Sequence, residues 1–179
     1  MIENRSEKCN NDFPWNQFLA ELDVKVIKSG QAYNIASWPT LQGFSGEVYY
    51  RLHLPLTGKF RVVYPGGSCL VEPGNLYLMP CTLPLKLDGI EPCTHCWIHF
   101  VSKQLQTIPM LGYPQAVSLE KPEQICGKFR DVYQRMKRCA SFADAVMIKN
   151  TVTECLIPFL EKISGHLPDS ILPLSEFMK

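Results

Sequence analysis

The chain has 179 residues, 46% of them hydrophobic, and a formal net charge of +1. That suffices for one well-buried core but not for two of ordinary size, and the charge gives no global attraction to nucleic acid or an anionic membrane. No apolar run approaches the ~20 residues that cross a bilayer, and Met1-Ile-Glu-Asn-Arg-Ser-Glu-Lys8 lacks a signal peptide's apolar centre, so a cytoplasmic location and no membrane partner are expected.

Residues 1–23 form an N-terminal arm. Met1 to Asn11 is polar, and Phe13-Pro-Trp15 with Phe18, Leu19 and Leu22 is apolar enough to dock. Either it is a short helix capping one end of a sheet, or it closes over a binding site. Val24 to Ile27 and Tyr33 to Trp38 have strand character, with a turn at Ser29-Gly30 between them. From Tyr49 to Val101, short apolar or alternating runs are cut at Thr57-Gly58, Pro65-Gly66-Gly67, Pro73-Gly74 and Asp88-Gly89. Such spacing predicts antiparallel strands closed into a sandwich or small barrel over residues 24–108, because each Gly or Pro pair reverses the chain before a strand grows long.

A break through Pro109, Gly112 and Pro114 opens a helical segment, 109–168. Ile125, Phe129, Val132, Tyr133 and Met136 make one apolar stripe on a helix over Glu123 to Arg138, with Pro122 as its first residue. A second helix runs from Phe142 to Ser164, its stripe made by Val146, Ile148, Val152, Cys155, Leu156, Phe159, Leu160 and Ile163, with Gly165 as the stop. Pro158 lacks the N–H that would bond the Glu154 carbonyl, at a cost of ~3 kcal/mol, so a kink or break is expected there. Residues 169–179 begin a further amphipathic pattern and stop within it, as a truncated chain would.

The chemistry concentrates in His95-Cys96-Trp97-Ile98-His99. On a strand, alternation sends His95, Trp97 and His99 to one face and Cys96, Ile98 and Phe100 to the other. Two imidazoles beside an indole suit a pocket that stacks on a flat guest and hydrogen-bonds to it; a solvated face or a satisfied core edge gives the same pattern. Cys93-x-x-Cys96 is a poor metal site, since alternation directs its thiols to opposite faces and no second ligand pair is evident. Its strand-like flanks also disfavour redox chemistry. All eight cysteines are expected as free thiols. Neither a nucleophile elbow nor a phosphate-cradling loop is present, and no cofactor, metal or enzymatic activity is expected.

Three stretches together carry a family resemblance: Tyr50-x-Leu52-x-Leu54-x-Leu56-x-Gly58, Glu72-Pro-Gly-Asn-Leu-Tyr-Leu-Met-Pro80, and His95-Cys-Trp-Ile-His-Phe100. With the two helices that follow, residues 33 to 166 resemble the N-terminal effector-binding and dimerisation domain of AraC-type transcription regulators. The resemblance implies a mainly β fold with C-terminal α structure: a cupin-like, jelly-roll β-barrel followed by an amphipathic helix pair. In the arabinose-responsive member a His-x-Trp on the last strand contacts the sugar, and His95 and Trp97 fall on those positions. The resemblance carries over only His95 and Trp97; from the residues themselves Trp38, Tyr77 and His99 are expected to line the pocket with them, and Arg51 and His53, on the face opposite Leu52-Leu54-Leu56, rank behind these. The resemblance implies a homodimer through the helix pair and DNA contact only through a helix-turn-helix unit that would follow residue 179. Val132, Met136, Val152 and Phe159 offer more apolar surface than one sheet face needs and are the expected dimer contact, the alternative being that both helices pack only against their own barrel. Asn75 stands where the family usually has Asp, and Pro80-Cys-Thr-Leu-Pro-Leu85 has no His where many members carry one. A lone His53 replaces the His-x-His of metal-dependent cupins. Two other classes remain open: a cupin-fold enzyme such as a sugar isomerase or dioxygenase, and an interaction domain with a filled barrel.

Overall fold

The computed structural model of the chain describes residues 22–35, 49–82, 84–138 and 141–164; Trp15, Trp38 and residues 169–179 lie outside these. The punctuated apolar runs form eight strands: β1 (Lys25–Ile35), β2 (Tyr50–Thr57), β3 (Phe60–Tyr64), β4 (Gly67–Val71), β5 (Asn75–Pro80), β6 (Lys86–Gly89), β7 (Cys93–Val101) and β8 (Gln115–Ser118). They pair as a five-stranded sheet, β1-β7-β2-β5-β8, and a three-stranded one, β4-β3-β6. Every pairing is antiparallel. A short helix α1 (Lys103–Gln106) and a 3-10 turn lead into β8, and helices α2 (Pro122–Arg138) and α3 (Phe142–Ser164) follow. This is the expected mainly β, jelly-roll-like layout with C-terminal helices, its two sheets sharing no ladder among the described residues.

Four expectations about elements need correction. Ser29-Gly30 is no turn: β1 runs unbroken through it, with ladder irregularities at Val26/Lys28 and Ala32/Ile35. Gly30 is there because Trp97 lies across it, as described below. Asp88-Gly89 falls inside β6, where Gly89 pairs with Phe60. The segment assigned to helices contains β8, whose Ala116 and Val117 pair with Tyr77 and Leu76; four residues are too few to display a period. Finally, α3 passes through Pro158 without a break. On either side of it Cys155, Leu156, Phe159 and Ile163 are buried. Each such apolar side chain contributes about 1.5–3 kcal/mol, which together exceeds the proline's cost. The Glu154 residue that loses its partner is exposed, so water can serve the carbonyl.

The five-stranded sheet has a core on each face. Tyr50, Leu52, Leu54, Leu76, Leu78, Ile98 and Phe100 pack against Phe129 and Val132 of α2 and Val152, Leu156 and Phe159 of α3. The other face, toward the three-stranded sheet, gathers Phe60, Val62, Val71, Tyr77, Met79, Leu85, Leu87 and Cys93. Strand β2 is therefore buried on both faces from Tyr50 to Pro55. The helix core also corrects the expected dimer surface. Val132, Val152 and Phe159 are buried in the chain's own core, and Met136 packs against it. The stripe that looked surplus to one sheet is what covers that sheet. Val146 departs from the stripe and is exposed, beside Phe142 and Met147.

Candidate functional site

Ladder register determines what meets on the inner face of the large sheet, since residues directly opposite one another point to the same side. One cross-strand row is Met79, Arg51, His99 and Lys28; the next is Tyr77, His53, Trp97 and Gly30; a third brings Pro55, His95 and Ala32 together. The expected residues Arg51, His53, Tyr77, His95, Trp97 and His99 thus share one face across β5, β2 and β7. Trp38 lies outside the described residues.

The arrangement is graded from apolar to polar. At one end Phe60 of the facing sheet lies 6.1 Å from the His95 ring and 6.4 Å from His53. The His53 and His95 rings stack at 5.2 Å, and Cys93 is buried in the same cluster as Phe60. Tyr77 is tied down, its Oη accepting the Glu72 backbone N–H at 3.1 Å. Toward the other end Trp97 and His99 are half-buried, with ring centroids 4.7 Å apart, and the Tyr49 ring sits 5.3 Å from His99. Arg51 donates from Nη2 to the Tyr49 hydroxyl and lies 5.0 Å over that ring. Lys28 reaches within 5.8 Å of the indole.

Burial sets the protonation of this face. Desolvation, then His95 and Arg51, holds the His53 imidazole well below its usual range. Burial brings His95 down to about 4, and burial with Arg51 and Lys28 nearby brings His99 down to about 3. All three are neutral at pH 7, so each offers one donor and one acceptor. Burial, with the Cys81 thiol beside it, pushes the Tyr49 phenol up. Among the described residues, Arg51 Nε and Nη1, both His53 nitrogens and His99 Nδ1 are buried with no hydrogen-bond partner. No group of three or more His, Cys, Asp or Glu among the described residues is disposed to hold a metal ion.

Three residues of this face escaped the sequence reading. Gly30 is one: a Cβ there would stand 2.5 Å from Trp97 Cζ2, so only glycine lets the indole lie flat on β1. Tyr49 and Lys28 are the others. The period-two series Tyr49, Arg51, His53 already signalled the first, whereas Lys28 is visible only through its register with His99. As anticipated, Cys93 and Cys96 belong to opposite faces, and the six described cysteines are free thiols.

Fold and site define a two-sheet, jelly-roll-like domain with a buried polar row on its inner face and a helix pair on its back. No protein family and no curated protein matches the chain by sequence. Solved structures similar to it include YhaK from Escherichia coli, with 13% identity and a TM-score of 0.44 over 54% of this chain and 44% of that one. Another is the AraC-like transcriptional activator CuxR, with 11% identity and a TM-score of 0.47 over 78% of this chain and 53% of that one. The chain spans about half the length of either protein. No helix among the described residues is long and apolar enough to cross a membrane.

Proposed function

We propose that this chain is the effector-sensing domain of an AraC-type transcription regulator. It binds a small molecule between its sheets and thereby controls an attached helix-turn-helix DNA-binding unit, without catalysing a reaction. The observation that carries the reading is the inner-face row itself. Arg51 and His53, each 3% exposed, keep ring and guanidinium nitrogens without partners in a position where apolar side chains would pack better. Unpaired buried polar groups are costly, and a guest that satisfies them explains their presence. The regulator assignment rests on the three sequence stretches and the order of sheet and helices.

The topology gives such a guest a route outward. Trp97 and His99 face the guest while Ile98 and Phe100, their neighbours on β7, pack against the helix core. A guest that favours one placement of β7 thereby favours one placement of α2 and α3, provided it binds the two arrangements with different affinity. Calorimetry of the chain against a panel of sugars, sugar acids and other small metabolites tests the binding. Trp97→Ala should abolish it with the circular dichroism unchanged; undiminished affinity in that variant rejects the site. The regulator assignment is tested in the coding sequence after Lys179, where two helix-turn-helix patterns are expected.

A further inference from the structure

We infer that the guest is an anion, a small organic molecule whose carboxylate or phosphate group is held by Arg51. This rests on the sensing proposal and narrows it to a class of ligand. Arg51 lies on β2 in the middle of the large sheet, with β5 and β7 on its two sides. The ion pairs among the described residues lie elsewhere: Lys59–Glu91, Lys86–Asp88, Lys128–Glu154, Arg135 with Asp131 and Asp144, and Lys149–Asp23. None of these carboxylates reaches Arg51, whose polar partner among the described residues is the uncharged Tyr49 hydroxyl. A guanidinium keeps its proton when buried, so it cannot relieve the cost of burial by neutralising itself.

The surroundings offer Arg51 neutral donors, not a counter-charge: His99 stands in the same cross-strand row, and His53 is two residues along on the same face. Among the described residues, no acidic side chain occupies any of the three inner-face rows. Buried cations are normally matched by a carboxylate on the protein; here the acceptor is left to the ligand. An oxyanion accepts from Arg51 Nε and Nη1, while neutral His53 and His99 can donate to its remaining lone pairs. Trp97 and Tyr49 wall the same end with aromatic surface, which suits an acid with a ring or flat body.

The experiment uses the 179-residue chain, four probes, two variants of Arg51 and the Trp97→Ala variant. The probes form matched pairs, galacturonate with galactose and benzoate with benzyl alcohol; Arg51→Met removes the charge at similar volume, and Arg51→Lys keeps the charge without the fork. The acids are expected to raise the melting temperature of the wild type and their neutral partners to leave it unchanged. Arg51→Met should lose at least tenfold in acid affinity, and Arg51→Lys should fall between. Melting without ligand decides the matter even where no probe binds. A guanidinium waiting for a guest is a burden on the empty protein, so Arg51→Met should melt at the same temperature as wild type or higher. Loss of several degrees in that variant would mean Arg51 is matched within the protein, and would overturn the inference. Neutral probes binding as tightly as the acids, with Trp97→Ala abolishing both, would also overturn it while leaving the sensing proposal standing.

Discussion

Replacing Gly30 by alanine tests the geometry of the site without substituting any residue proposed to bind a guest. An added Cβ would stand 2.5 Å from Cζ2 and 2.9 Å from Cε2 of Trp97, where ordinary contact begins at 3.4 Å. The backbone at Gly30 is extended strand, so alanine brings no dihedral strain and should recover about 0.5–1 kcal/mol of the entropy that glycine costs in a strand. Against this stands overpacking, typically about 1–3 kcal/mol when a methyl is forced against a ring that cannot retreat. The net expectation is a loss of roughly 1–2 kcal/mol, or about 2–8 °C in melting temperature for a chain of this size. The indole should also tilt off β1, changing its emission and weakening any guest that stacks on it. Differential scanning calorimetry gives the stability, and fluorescence of the variant against wild type gives the ring. A variant more stable than wild type with unaltered emission would show that Trp97 does not lie on Gly30, and the description of this face would fail.

Gly127 provides the opposite case: it lies exposed within α2, and a methyl added there would meet nothing within 4 Å, so Gly127→Ala should stabilise by about 0.5–1 kcal/mol in a denaturant titration. Stability should fall on acidification. Unfolded imidazoles take up protons near pH 6.5, but His95 and His99 do so in the folded chain only near about 4 and about 3. Between those values the unfolded state binds more protons, so the loss begins below pH ~6.5 and is complete near pH 3. Thermal melts from pH 7 to 4 should show a shallower decline in His99→Gln, and an unchanged slope would place His99 in water. On the helices, Phe159→Ala should cost about 3–5 kcal/mol because its ring is buried against the large sheet. Phe142→Asp, at a side chain 96% exposed, should change stability by no more than about 0.5 kcal/mol, and urea melts of the two variants separate core from surface.

How far the sequence carries depends on the length of the pattern. The helices Pro122–Arg138 and Phe142–Ser164 were legible almost to the residue, since 17 and 23 positions display their period many times over. The turns at Pro65-Gly66 and Pro73-Gly74 were legible too, because Gly66 and Gly74 take the positive φ that other residues resist. Four-residue β8 was not legible, and Gly30 was mistaken for a turn because a glycine that admits a neighbour's ring has the same letter as one that bends the chain. The site followed the same division. Alternation alone grouped His95, Trp97 and His99, but ranked Arg51 and His53 behind them.

What the sequence determined by itself is everything carried by local repetition: strands cut at glycine and proline, two amphipathic helices, and the two faces of Cys93–Val101. What only the tertiary structure decided is what each face meets. Val132, Val152 and Phe159 cover the chain's own sheet, and β2 is central, so the face carrying Arg51 and His53 is buried as deeply as the one carrying Leu52 and Leu54. Periodicity tells a residue which side of its own strand it occupies, but burial is set by what packs onto that side from distant parts of the chain. For that reason an arginine that could pass in the sequence for a solvated edge becomes, once the sheets are assembled, a buried cation.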